Sequence, residues 1–130
     1  MLYELDKIDS MRYDNKETVT VYIFDMDMWS GKYQEHEYYT KKKIELCVNF
    51  ILTGDAAKNL EISPDVVKHY DIAIISQETK VPEAYLQLLN NIAAEIKQGY
   101  GDLITLQVSH EAAQETKKEK KGFFGLFKKK

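Results

Sequence analysis

Residues 18–54 hold the pattern that most limits how this chain can fold: TVTVYIFDMDMWSGKYQEHEYYTKKKIELCVNFILTG. Val19, Val21 and Ile23 alternate with Thr18, Thr20, Tyr22 and Phe24. β-Branched and aromatic residues at a period of two specify a strand with one buried face. Ser30-Gly31 breaks that strand, and Ser30 is placed to cap a helix. Residues 34–53 read as that helix, a long one, with Tyr33, Thr40, Ile44, Cys47, Val48, Ile51 and Leu52 at helical spacing. Glu35 and Glu37 suit the positive end of its dipole, and Gly54 is its stop. The rest of the chain must pair with that strand or pack under that helix.

Upstream, Ile8, Ser10 and Arg12 share one face of a weakly alternating segment, with Met11 and Tyr13 on the other. Asp14-Asn15-Lys16-Glu17 is turn chemistry, because Asp and Asn bond their own backbone and tolerate left-handed φ. The two segments therefore make a β-hairpin. Downstream, residues 55–64 form a connector closed by Ser63-Pro64. Residues 66–76, VVKHYDIAIIS, read as a strand whose second half is apolar on both faces, which suits a central position. Pro82 fits the first turn of a second helix. Tyr85, Leu88, Leu89, Ile92 and Ile96 are its buried stripe, and Gly99 is its end. Residues 103–109 make a last strand with Ile104, Leu106 and Val108 inward and Thr105 and Gln107 outward. The predicted order is β-β-α-β-α-β. This is an α+β domain over residues 1–110, with a four-stranded sheet and two helices packed on one face. Residues 111–130 form a flexible basic linker and tail.

That layout is carried by VTVYIFDMDMW, the helix opening at Gln34-Glu35-His36, the FILTG stop, HYDIAII, PEAYLQLLNNIAAEI and LITLQVS. Over roughly residues 8–110 it resembles a family of small bacterial α+β domains of unknown function. The resemblance implies the fold and carries no activity.

Charge separates body from tail. Residues 1–110 carry 11 Lys/Arg against 18 Asp/Glu, a balance of −7, and residues 111–130 carry 7 Lys against 3 Glu, a balance of +4. An acidic body points away from nucleic acid, and a basic tail points toward an anionic surface or partner. No apolar run approaches the ~20 residues of a membrane span. The acidic start, MLYELDKIDSMRYD, has no signal-peptide character. A single cysteine, Cys47, fits a reducing compartment. The expected location is cytoplasmic, with peripheral attachment to the inner membrane face.

Four constellations bear on chemistry. The strand ending in Asp25-Met26-Asp27 is similar to the nucleophile loop of haloacid dehalogenase-like phosphatases, which implies attack on phosphorus by the first Asp and acid catalysis by the second. Ser76 and Gly101-Asp102 partly fit the same family. Trp29 stands where that family has Thr or Val, and LITLQVS comes directly where a further Asp is required. These departures favour a strand end with solvated carboxylates. Glu35-His36-Glu37 has metal-ligand residue types, but adjacent helical positions point apart, so no metal or cofactor is expected and a solvated helix start is the plainer reading. Lys41, Lys42 and Lys43 read as a solvated face, and Cys47 as a small core hydrophobe. Tyr22, Phe24, Trp29, Tyr33, Tyr38 and Tyr39 make an aromatic corner, of which Trp29, Tyr33, Tyr38 and Tyr39 are a candidate partner surface. In the tail, Phe123, Phe124, Leu126 and Phe127 lie between the lysines of residues 117–121 and Lys128, Lys129 and Lys130. Large hydrophobes in a basic setting attach weakly to an anionic membrane or dock on a protein assembly.

Together these features describe a non-enzymatic binding or adaptor module with a protein partner and an attachment tail. Two alternatives stand beside it: an immunity- or inhibitor-like protein whose acidic aromatic surface binds a basic protein, and a metal-dependent phosphohydrolase using Asp25 and Asp27.

Overall fold

A computed structural model describes residues 1–25, 33–76 and 82–109, with the backbone alone for Tyr33, Val108 and Ser109. The chain runs β1 (Ser10–Tyr13), β2 (Thr18–Asp25), α1 (Tyr33–Leu52), α2 (Asp55–Asn59), a 3-10 turn (Pro64–Val66), β3 (His69–Ser76), α3 (Glu83–Tyr100) and β4 (Ile104–Ser109). The strands lie in the order β1-β2-β3-β4. β1 and β2 are antiparallel, while β2, β3 and β4 are parallel.

The β1–β2 turn forms as its residues dictate. Asp14 Oδ1 accepts from the backbone N–H groups of Lys16, Glu17 and Thr18, and Asn15 takes φ 64°. Those bonds hold the Asp14 carboxyl below its usual range. Register is then set by alternation: Val19, Val21, Ile23 and Asp25 are buried, while Thr18, Thr20, Tyr22 and Phe24 are half-buried. A slip of one residue would turn that whole apolar set to the other face.

Two parallel pairings demand two crossovers, and α1 and α3 supply them. The strand order advances in one direction, so right-handed crossovers set both helices on one face. Beneath them lies the core of Val19, Val21, Ile23, Ile72, Ile74, Ile104 and Leu106, with Ile44, Cys47 and Ile51 from α1 and Tyr85, Leu89 and Ile96 from α3. The opposite sheet face keeps Tyr22 stacked beside Phe24, ring centroids 6.2 Å apart.

Some boundaries and burials differ from expectation. The third strand begins at His69 rather than residue 66, because Ser63 Oγ accepts from the Asp65 N–H and Pro64 opens a 3-10 turn. α3 runs past Gly99 to Tyr100, and Gly101 at φ 61° ends it. Leu52, placed on the buried stripe, is 48% exposed, since the stripe ends on Ile51, 4% exposed, and Leu52 is turned about 100° around the helix from it. Among the described residues no helix is long and apolar enough to cross a membrane.

Gly54 comes directly after α1 and Thr53 at φ 87°, and a Cβ there would meet nothing within 4 Å. Its need is therefore purely conformational. Gly54→Ala should lower stability by about 1 kcal/mol, the cost of left-handed backbone for an L-residue, leaving the helical circular dichroism unchanged; urea denaturation reads it.

Candidate functional site

β2 and β3 pair in register over eight residues, so Asp25 sits beside Ser76 at the carboxyl ends of two parallel strands. Crevices at that end of a parallel sheet are where open α/β folds bind ligands. α1 starts over this end, and its first turn brings His36 Nε2 to 2.5 Å from Asp25 Oδ2. Asp25 is wholly buried and His36 is 2% exposed. One turn along, the Thr40 hydroxyl donates to the His36 carbonyl at 2.7 Å. Thr40 Oγ1 also lies 2.8 Å from the hydroxyl of Tyr85, in the first turn of α3. Thr40 has one proton and spends it on His36, so the Tyr85 hydroxyl is the donor to Thr40. Among the described residues, Asp25 Oδ1 is buried with no hydrogen-bond partner. Burial, with the nearby Asp25 carboxylate, drives the Tyr85 phenol far above its usual value, although the Thr40 bond works the other way. The Tyr85 ring meets His36 edge-on at 5.3 Å, and Tyr3 does so from another side at 6.1 Å.

A second buried charge lies further along α1. Lys43 is fully buried, with its Nζ 3.0 Å from Asp9 Oδ1. It donates also to the carbonyls of Lys7, at 2.7 Å, and Glu4. Asp9 receives the Phe24 N–H at 2.9 Å and pairs with the Met1 amino group. Burial alone would raise the Asp9 carboxyl, but the amino group, the Phe24 amide and Lys43 together hold it below its usual range. Residues 1–9 are thus clasped to α1 through the Lys43 ammonium, and to β2 through the Asp9 carboxylate and the Leu2 N–H, which donates to the Phe24 carbonyl at 3.0 Å.

A third cluster occupies the other sheet face, at the amino ends of β3 and β4. His69 Nε2 is 2.6 Å from Asp71 Oδ1, and its Nδ1 faces the Asp102 carbonyl. Thr105 Oγ1 donates to the same Asp71 oxygen. Both ring nitrogens face acceptors, so the doubly protonated imidazolium is the form that satisfies them. Burial works against that charge, yet the Asp102 carbonyl and the Asp71 carboxylate raise the His69 pKa above the usual 6.5.

Several expectations are corrected by these contacts. Asp25 is not a solvated carboxylate, His36 is not a solvated helix start, and Lys43 does not share the solvated face of Lys41 and Lys42. The reason is position: residues 36, 40, 43 and 47 recur on the stripe of α1 that faces the sheet. That spacing was the available signal for Lys43, Thr40 and His36. Nothing in sequence spacing joins them to Asp9 or Tyr85. Cys47 is buried as expected, and burial pushes its thiol up to about 12.

The predicted partner surface is brought together only in part. Tyr38 is 53% exposed and packs edge-on against half-buried Tyr39 at 5.3 Å, which in turn meets Tyr3 at 4.6 Å. Trp29 and Asp27 lie outside the described residues, as do the side chain of Tyr33 and the tail residues Phe123, Phe124, Leu126, Phe127, Lys128, Lys129 and Lys130. Among the described residues no group of three or more His, Cys, Asp or Glu is placed to hold a metal ion. On the outer surface, α1 and α3 leave a groove of about 720 Å3 between them. It is lined by Val48, Leu88 and Ile92, by the carboxylates Glu45 and Glu95, and by Lys41, Asn49 and Asn91.

No family model, curated protein or solved structure matches the chain.

The buried charges can be probed by substitution and by pH. Lys43→Ala should cost about 3 kcal/mol, because it takes one of two cationic partners from buried Asp9 and the side-chain donor from the Glu4 and Lys7 carbonyls, whereas exposed Lys42→Ala should stay within about 0.5 kcal/mol; chemical denaturation of both variants separates them. The raised His69 pKa contributes stability that is fully present below pH 6.5 and is lost as pH rises through the higher folded value. Unfolding free energy measured from pH 6 to 8 should therefore fall more steeply in the wild type than in His69→Gln.

Proposed function

We propose that this protein is a non-enzymatic binding module whose tail, residues 122–130, attaches it weakly to an anionic membrane surface. The observation that carries the first half is where its reactive groups lie. Asp25, His36, Lys43 and Cys47 are each buried, and the first three hold α1 to the sheet and to the N-terminal segment. What remains at the surface suits recognition: the groove between the helices and the exposed Tyr38 beside Tyr39. Concave, mostly apolar surfaces with a few polar groups are what binding sites are made of.

The attachment half rests on the chain itself. A body of −7 with a tail of +4 is oriented by an anionic leaflet, tail first. Each Lys near such a leaflet is worth ~1 kcal/mol, and the rings of GFFGLF insert at the interface. The reading that makes Asp25 a phosphoryl-accepting nucleophile has less support, since that carboxylate is wholly buried and one of its oxygens is on His36.

Sedimentation with anionic and neutral vesicles tests this. The full chain should co-sediment with phosphatidylserine-containing vesicles, less so as salt rises, and a chain ending at Lys121 should not, with equal melting temperatures. Equal sedimentation of the two chains would refute the tail's role.

A further inference from the structure

Of the surfaces the fold leaves open, the groove between α1 and α3 has the chemistry of its occupant written into its walls. Its floor is apolar, from Val48 on one helix and Leu88 and Ile92 on the other, all half-buried. Glu45 and Glu95 flank that floor, one on each helix, and both are exposed; Glu45 lies 3.7 Å from Lys42, and Lys41 also lines the groove. At its foot stands Tyr100, 38% exposed. An apolar floor on a body of −7, with Glu95 exposed beside it, suits a segment with large hydrophobes at its centre and cations around them. The chain holds one such segment. Phe123, Phe124, Leu126 and Phe127 lie between the lysines at 117–121 and those at 128–130.

The tail also starts in the right place. Ile75 pairs with Ser109, so β4 ends level with the end of β3, which is the edge of the sheet from which α3 sets out. Leu88, in the second turn of α3, is near that edge. Thirteen residues separate Ser109 from Phe123. Extended, they span up to ~45 Å, ample to pass a helix ~10–12 Å across.

We infer that the hydrophobes of residues 123–127 dock in the groove between α1 and α3 of their own chain when no membrane is present. The inference rests on the reading of this tail as the attachment segment, and adds that the body competes with the membrane for it. A segment held in the groove is withdrawn from the leaflet, so apparent membrane affinity falls by the fraction of time it is free.

The test compares the full chain with a full-length variant carrying Phe123→Ser, Phe124→Ser and Phe127→Ser, by methyl NMR. The methyl resonances of Val48, Leu88 and Ile92 should differ between the two, independently of protein concentration. Glu45→Gln with Glu95→Gln, at exposed positions, should shrink that difference. Leu88→Asn in the full chain should raise apparent affinity for anionic vesicles at least about threefold. Unchanged groove methyls would overturn the inference, as would shifts that grow with concentration, which mean docking on a second copy. So would shifts confined to the Tyr22–Phe24 sheet face. Groove shifts without vesicle binding would remove the membrane reading alone. Vesicle binding without groove shifts would remove this inference alone.

Discussion

Parallel pairing of β2 with β3 over eight residues cannot be closed by a turn, because both strands start at the same end of the sheet. The chain must travel back the full length of the sheet, and α1, twenty residues long, makes that return. Most of the structure depends on this one requirement. α1 begins over the carboxyl end of β2, so His36 meets Asp25. It then runs down the sheet, so Cys47 and Ile51 reach the core and Gly54 lets the chain turn back through α2. The second parallel pair repeats the arrangement with α3, which places Tyr85 at the same end as His36.

Charge inside this fold positions elements more than it stabilises them. The desolvation of a buried pair roughly offsets its Coulomb attraction. Losing the pair is another matter. Rotating α1 by one residue would carry His36, Thr40 and Lys43 away from Asp25, Tyr85 and Asp9 together, leaving buried polar groups on both sides without partners. A helix stripe of apolar residues tolerates small rotations; one that includes a histidine, a hydroxyl and an ammonium does not. The same Lys43 ammonium fixes the path of residues 1–9, which have no regular secondary structure before β1. The Glu4 and Lys7 carbonyls are satisfied by a side chain in place of a ladder.

Local patterns made the architecture readable. The alternation of residues 18–24, the helical stripes of residues 44–51 and 85–96, and the turn chemistry of Asp14 and Asn15 each have a period or a local hydrogen bond that sequence displays directly. Edges were less readable, because Pro64 and Ser63 end one regular pattern before β3 begins another. The buried polar groups were the least readable. Lysine and histidine on a helix are usually solvated; only tertiary partners far away in sequence, Asp9 for Lys43 and Tyr85 for Thr40, reverse that. The aromatic corner divides for a similar reason. Tyr22 and Phe24 point to one sheet face while Tyr38 and Tyr39 ride on the helix side, so nearness in sequence did not become one surface.

Cys47 lies on the side of α1 that rests against the sheet, and it is the chain's single thiol. With its ionisation pushed up to about 12, the thiolate that electrophiles and disulfides require is scarce in the folded protein. Two molecules cannot be joined through it while α1 stays seated. Chemical modification at this sulfur is consequently a clock for the parting of helix and sheet: each alkylation event marks a molecule in which the crossover has lifted.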